Sequence, residues 1–197
     1  MKNLLKVLSV VLVLAFLFTS CAKQPTQEVS NAEAAIKAVE NEGADVYAKE
    51  ELAKLKNDLS ATLDEVNAQS KKFFKKYGNA KQMLEKVKTD ADAVKALIPQ
   101  RKEQAKNEAI AKLEEAKVAV DEAKAFLAKA PRGKGTKADI QAFTADLEGL
   151  VSAVAEAQQL IDSENYFGAQ DKATAIKEKA QGISDQIKQA IEKVKKR

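Results

Sequence analysis

The chain has 197 residues, 45% of them apolar and 31% charged, with only 3 Pro, 7 Gly and one Cys, and with neither His nor Trp. The lack of His excludes Ser-His-Asp triads, Cys-His pairs, imidazole metal sites and the Glu-x-x-His pairs of di-iron bundles. A formal charge of +4 with both signs interleaved lacks the one-sided basic face and interleaved aromatics of a nucleic-acid binder. What remains is rich in Ala, Glu, Lys, Gln and Leu, which lose little rotamer freedom in a helix, so the composition predicts an all-α fold.

The chain opens with Lys2 and Lys6, then an apolar run from Val7 to Phe18 broken only by Ser9. The run is short of the roughly 20 residues that span a bilayer and has the length of a signal-peptide core. Leu17-Phe18-Thr19-Ser20-Cys21 follows. This stretch resembles the lipobox of bacterial lipoproteins, where small residues precede a Cys; Phe18 departs from the usual Leu, Val or Ile. The resemblance implies that residues 1–20 are a signal peptide, cut between Ser20 and Cys21, and that Cys21 is lipidated as the new N-terminus. It also accounts for a single Cys that has no intrachain partner. Acyl chains, at about 0.8 kcal/mol per buried CH₂, make such anchoring effectively permanent. In the sorting of enterobacterial lipoproteins an Asp after the Cys retains the protein in the inner membrane. By the same resemblance Ala22 implies the outer membrane, facing the periplasm. Residues 21–30, polar and containing Pro25, read as the lipidated Cys and a flexible tether.

Ser30-Asn31-Ala32-Glu33 has the form of a capping box and predicts the start of a first helix. Ala32, Ala35, Ile36 and Val39 share its inner face, and Gly43 ends it. A second helix is expected from about Ala48, with Leu52, Leu55, Leu59, Leu63, Val66 and Phe73 as its core stripe, up to an interruption at Gly78. A third carries Met83, Leu84, Val87, Ala91, Val94 and Ile98 and is expected to break or kink at Pro99. A fourth, to about Lys129, places Ile110, Leu113, Ala116, Val120, Ala123 and Leu127 inward. Pro131-Arg132-Gly133-Lys134-Gly135 is the clearest loop. Beyond it lie a stripe of Ile140, Phe143, Leu147, Val151, Val154 and Ile161, and a last helix with Ala169, Ala173, Ile176, Ala180, Ile183 and Ile187. Its end, Lys195-Lys196-Arg197, suits the negative pole of a helix dipole.

One constant shift along the chain lays Leu55, Leu59, Leu63, Val66 and Phe73 on Phe143, Leu147, Val151, Val154 and Ile161. With one residue inserted near the turn, Tyr77 and Ala80 land on Tyr166 and Ala169, and Val87, Ala91, Val94 and Ile98 on Ile176, Ala180, Ile183 and Ile187. The expected architecture is therefore an elongated antiparallel bundle of two similar helical hairpins, with repeat 1 and a connecting helix over 31–130 and repeat 2 over 131–197. The turn from Asp162 to Ala169 resembles the Asn/Asp-Tyr-x-x-Ala turn of tetratricopeptide-like hairpins, although the Trp, Leu-Gly and Pro positions of that consensus are absent. Gly43-Ala44-Asp45-Val46-Tyr47-Ala48-Lys49-Glu50-Glu51-Leu52, taken with the lipobox, resembles a Gly-Ala…Tyr-Ala…Glu-Leu stretch of small α-helical bacterial lipoproteins. That group brings no activity with it.

Few residues invite chemistry. Glu114-Glu115 and Asp121-Glu122 are adjacent carboxylates, but neighbours on a helix diverge by about 100°; a solvated face is the expectation. Lys134-Gly135-Thr136 lacks the full phosphate-loop pattern and follows a helix rather than a strand. It reads as a basic loop, with anionic headgroups or wall polymer as its alternative contacts. A wall linkage through the C-terminus is disfavoured, because Arg197 stands where a linkage lysine belongs. Phe73, Phe74 and Tyr77, and likewise Tyr166 and Phe167, are candidate partner contacts; capping of the core beside a turn is the other reading and the expected one. The sequence thus predicts no enzyme, cofactor, metal or nucleic acid. It predicts a membrane-anchored helical scaffold or adaptor for another envelope protein. The alternative is a periplasmic module holding an apolar or anionic small ligand or cell-wall polymer, in a groove left by small residues such as Ala169, Ala173 and Ala180.

Overall fold

The computed structural model describes residues 23–132 and 136–195. The expected signal peptide and Ser20–Cys21 cleavage site, Gly133-Lys134-Gly135 and Lys196-Arg197 lie outside the described residues. Among the described residues the fold is all-α, with six helices: α1 Thr26–Asn41, α2 Ala44–Tyr47, α3 Lys49–Ser70, α4 Gly78–Ala128, α5 Lys137–Asp162 and α6 Tyr166–Lys195. None of them is long and apolar enough to cross a membrane. The chain divides into two compact units between Gln100 and Arg101.

The first unit comprises α1, α2, α3 and the N-terminal part of α4. Helix α1 begins earlier than the capping box suggested. Pro25 stands at its N-cap with φ −80°, and Val29 donates its N–H to the Pro25 carbonyl at 3.0 Å. The fixed φ of Pro suits a helix entry, so the helix is already running when Ser30 arrives, and Ser30 is exposed. The tether expected over 21–30 is correspondingly shorter. At the other end Gly43 has φ +94° and donates to the Glu40 carbonyl at 2.9 Å. This left-handed residue stops α1, as its position in the sequence predicted.

The direction of the helices follows from their contacts. Lys56 of α3 reaches Glu40 near the end of α1 at 2.6 Å. Lys81 in the first turn of α4 reaches Glu28 in the first turn of α1 at 2.5 Å. Lys95, further along α4, pairs with Glu42 just past α1 at 3.2 Å. Helices α1 and α4 therefore run parallel, with α3 returning between them: an up-down-up three-helix bundle. Its core joins Ala32, Ile36 and Val39 of α1, Leu52 and Leu55 of α3, and Leu84, Val87, Ala91, Val94 and Ile98 of α4. The expected stripes are thus largely those buried. Phe73 is the exception: α3 ends at Ser70, so the helical period that pointed Phe73 inward no longer applies to it.

Pro99 lies inside α4, which continues to Ala128; of the break or kink expected there, the break is absent. Pro lacks an N–H, leaving the Lys95 carbonyl without its intrahelical donor, its ring crowds that carbonyl, and together these cost a helix interior about 3 kcal/mol. Buried Val94 and Ile98 before it, and Ala105, Ala109 and Leu113 after it, bury enough apolar surface to offset that. The C-terminal part of α4, expected as a connector to repeat 1, belongs instead to the second unit.

That second unit has the same up-down-up order. Gln170 of α6 is buried and donates its side-chain amide to the Ala105 carbonyl at 2.9 Å. Lys177 pairs with Glu115 at 2.7 Å, and the Lys188 ammonium sits 4.6 Å from the Phe126 ring centre. Residue numbers rise together along both helices, so α4 and α6 are parallel. Helix α5 runs back between them, and Lys172 of α6 pairs with its Glu156. The core here is rich in alanine. Ala109, Ala116, Ala123, Ala157, Ala169, Ala173 and Ala180 are all fully buried beside Leu113, Leu147, Ile176 and Ile187. Small side chains let helix axes approach closely, and few large ones are left to fill the volume. This explains two misplaced residues. Ile110 and Val151, expected inward, are exposed, because Ala109 and Leu150 take the inner positions one residue earlier.

Candidate functional site

The hairpin turns order the two aromatic clusters differently. Tyr166 opens α6 and is 5% exposed, with Ala169 fully buried one turn later. The Asn165 side chain caps this helix by accepting the Gly168 N–H at 3.1 Å. A Cβ at Gly168 would lie 2.8 Å from that same side chain, so a larger residue there would push the Asn165 amide aside. Phe167 is 46% exposed. Tyr77 matches Tyr166: it is 3% exposed and clusters with Val66 and Ala80. Both tyrosines are core caps and not surface contacts.

Phe73 and Phe74 are the opposite. They are 90% and 77% exposed and meet edge to face, 5.0 Å between ring centres. Their backbone lies between the end of α3 and Gly78, so no helix turns them inward. Gln69, itself buried, pins this segment. Its side-chain carbonyl accepts the Lys76 N–H at 3.3 Å, and its amide donates to Glu65 at 2.8 Å. With Tyr77 seated in the core and Gln69 holding Lys76, the intervening Lys71-Lys72-Phe73-Phe74-Lys75-Lys76 projects into solvent.

The lysines of this turn are the part that sequence reasoning passed over. From Val66 to Leu84 there are five lysines and no acid. Lys81 pairs with Glu28, while Lys71, Lys72, Lys75 and Lys76 are exposed and meet no carboxylate among the described residues. Lys54, Lys86, Lys117 and Lys177, by contrast, are paired with acids one turn away or across a helix contact. The signal was visible as a doubled Lys on each side of a doubled Phe, placed where a helical stripe ends.

The adjacent carboxylates do not form an acid–base pair. Glu114 pairs with Lys117 at 3.2 Å, while Glu115 points elsewhere, to Lys177 at 2.7 Å. Hydrogen bonding from Lys177 holds the Glu115 carboxyl below the usual range, and Lys81 does the same for Glu28. Both carboxylates are exposed, and such surface pairs are individually weak. Asp121 pairs with Lys124 at 3.2 Å. Among the described residues no group of His, Cys, Asp or Glu is arranged to hold a metal.

Ala169, Ala173 and Ala180, which the alternative reading placed beside a ligand groove, are fully buried among the described residues. The small cleft between Pro131, Ile140, Phe143 and Ile187 is ≈ 20 Å³, room for about one water. The larger depression in this unit is an open groove of ≈ 670 Å³ between α5 and α6, floored by Gly149, Ala153 and Gly182. A side chain at Gly149 or Gly182 would meet no atom within 4 Å. No protein-family model matches the chain, and neither a curated protein nor a solved structure matches it.

Proposed function

We propose that the protein is a non-catalytic envelope lipoprotein, held by lipid on Cys21 to the periplasmic face of the outer membrane, whose helical bundles act as a scaffold or adaptor for other envelope components. The observation that supports this most is the junction between the anchor motif and the fold. Pro25 is fully buried and α1 starts at Thr26. Only Ala22-Lys23-Gln24 separates Cys21 from that packed residue, a reach of roughly 14 Å when extended. A chain fixed at Cys21 therefore passes almost directly into a folded bundle, which stands on the membrane rather than drifting on a long leash.

The rest of the molecule favours surfaces over chemistry. Glu114, Glu115 and Asp121 each meet a separate surface lysine, its alanine core is closed, and its larger depressions are open grooves that fit a partner's helix or extended chain better than an enclosed small ligand. The matching burial of Tyr77, Ala80, Leu84, Val87, Ala91 and Ile98 with Tyr166, Ala169, Ala173, Ile176, Ala180 and Ile187 supports an origin of the two bundles by internal duplication.

The test is brief crosslinking in the native membrane, extraction of the tagged full-length protein in mild detergent, and mass spectrometry of what it retains. A stoichiometric envelope protein is expected. A monomer carrying a lipid, glycan or small molecule would sink the scaffold reading in favour of a ligand carrier.

A further inference from the structure

We propose that the turn Lys71–Lys76 is a second membrane contact: Phe73 and Phe74 insert into the interfacial region of an anionic bilayer, and Lys71, Lys72, Lys75 and Lys76 bind its phosphate headgroups. The placement rests on the lipid-anchor reading, and the composition of the turn stands apart from it.

Two nearly fully exposed Phe side chains on a projecting turn lose solvation free energy in water and have no polar atom to satisfy. A protein pocket that accepted them would also have to accommodate four lysines around its rim, all unpaired with acids among the described residues. A bilayer interface meets both demands at once, since rings sink to the acyl boundary while ammonium groups stay at the headgroup level on their flexible stems. Anionic headgroups supply the counter-charge that the segment from Val66 to Leu84 lacks altogether.

Position agrees with composition. The Lys81–Glu28 contact at 2.5 Å puts the first turn of α4 beside the first turn of α1, so the turn over residues 71–77 lies at the same end of the first unit as buried Pro25. That is the end from which Cys21 departs. A membrane holding Cys21 is then within roughly 14 Å of the end that carries the two Phe rings. At the far end of α1, the 16-residue helix places Gly43 and Val46 roughly 24 Å away.

The chain has no Trp, so one introduced indole reports its own surroundings. Full-length Phe74→Trp protein is purified from its membranes and reconstituted into phosphatidylethanolamine vesicles with or without phosphatidylglycerol, using brominated acyl chains as quenchers. Val46→Trp, half-exposed at the opposite end, is the reference. The Phe74→Trp emission is expected to be blue-shifted and quenched in anionic vesicles, and the Val46→Trp emission is not. Changing the four lysines of the turn to Gln is expected to return the Phe74→Trp spectrum to that of a water-exposed indole. An unshifted, unquenched Phe74→Trp signal in anionic vesicles would overturn the inference and leave the turn to an acidic protein. The intact mass of the same sample reads the acylation of Cys21 separately. Quenching with Cys21 unmodified would therefore support the membrane contact while refuting the anchor.

Discussion

Leu113→Ala is expected to lower the unfolding free energy by about 2–5 kcal/mol. Leu113 is 2% exposed and among the largest fully buried side chains of the molecule. Its neighbours on the inner face of α4 are Ala109 and Ala116, and α6 contributes Ala169, Ala173 and Ala180 to the same core. Alanines have no rotamers with which to fill a gap, so the cavity left by the lost isopropyl group persists and its cost adds to the lost transfer energy. Val118→Ala on the same helix is the control: Val118 is 52% exposed, and the change should stay within about 0.5 kcal/mol. Urea unfolding followed by circular dichroism separates the two. A Leu113→Ala loss below about 1 kcal/mol would mean that the alanine core relaxes freely, contrary to the packing described.

Pro99→Ala is expected to stabilise the protein by about 2 kcal/mol. The substitution restores an N–H to the Lys95 carbonyl and removes the ring's clash with the preceding turn, worth about 3 kcal/mol in a helix interior. About 1 kcal/mol is offset because Ala leaves the unfolded chain freer than Pro does. For a chain of this length the melting temperature should rise by about 4–8 °C. An unchanged or lower value would show that packing around Pro99 depends on the ring itself.

The helical fold was legible in the sequence because it rests on period and composition, and both are local. Leu84, Val87, Ala91, Val94 and Ile98 could be placed inward from spacing alone. Two failures share a cause: where two apolar residues adjoin, spacing does not tell which faces in. Ala109 displaced Ile110 and Leu150 displaced Val151, since tight helix contacts favour the inner position that keeps the whole stripe in register. At Pro99 the break is absent for a different reason: its penalty is local while the burial that outweighs it comes from helices distant in sequence. Ser30 carried a sound capping motif, but Pro25 had already started the helix. At the candidate site, the aromatic residues were singled out and their fates were not. Tyr77 and Phe74 are three positions apart, and only the end of α3 at Ser70, with Gln69 holding Lys76, buries one and exposes the other.

The proposed function stands on the anchor, and the junction at Pro25 gives that anchor its structural meaning. The most direct test is the intact mass of the protein isolated from its own membranes, with metabolic labelling by a palmitate analogue and Cys21→Ser as reference. A chain that begins at Cys21, carries acyl groups there and takes up label that the Cys21→Ser chain does not is the predicted result. An unlabelled chain with a free Cys21 thiol, whether residues 1–20 are retained or cut elsewhere, would contradict the account.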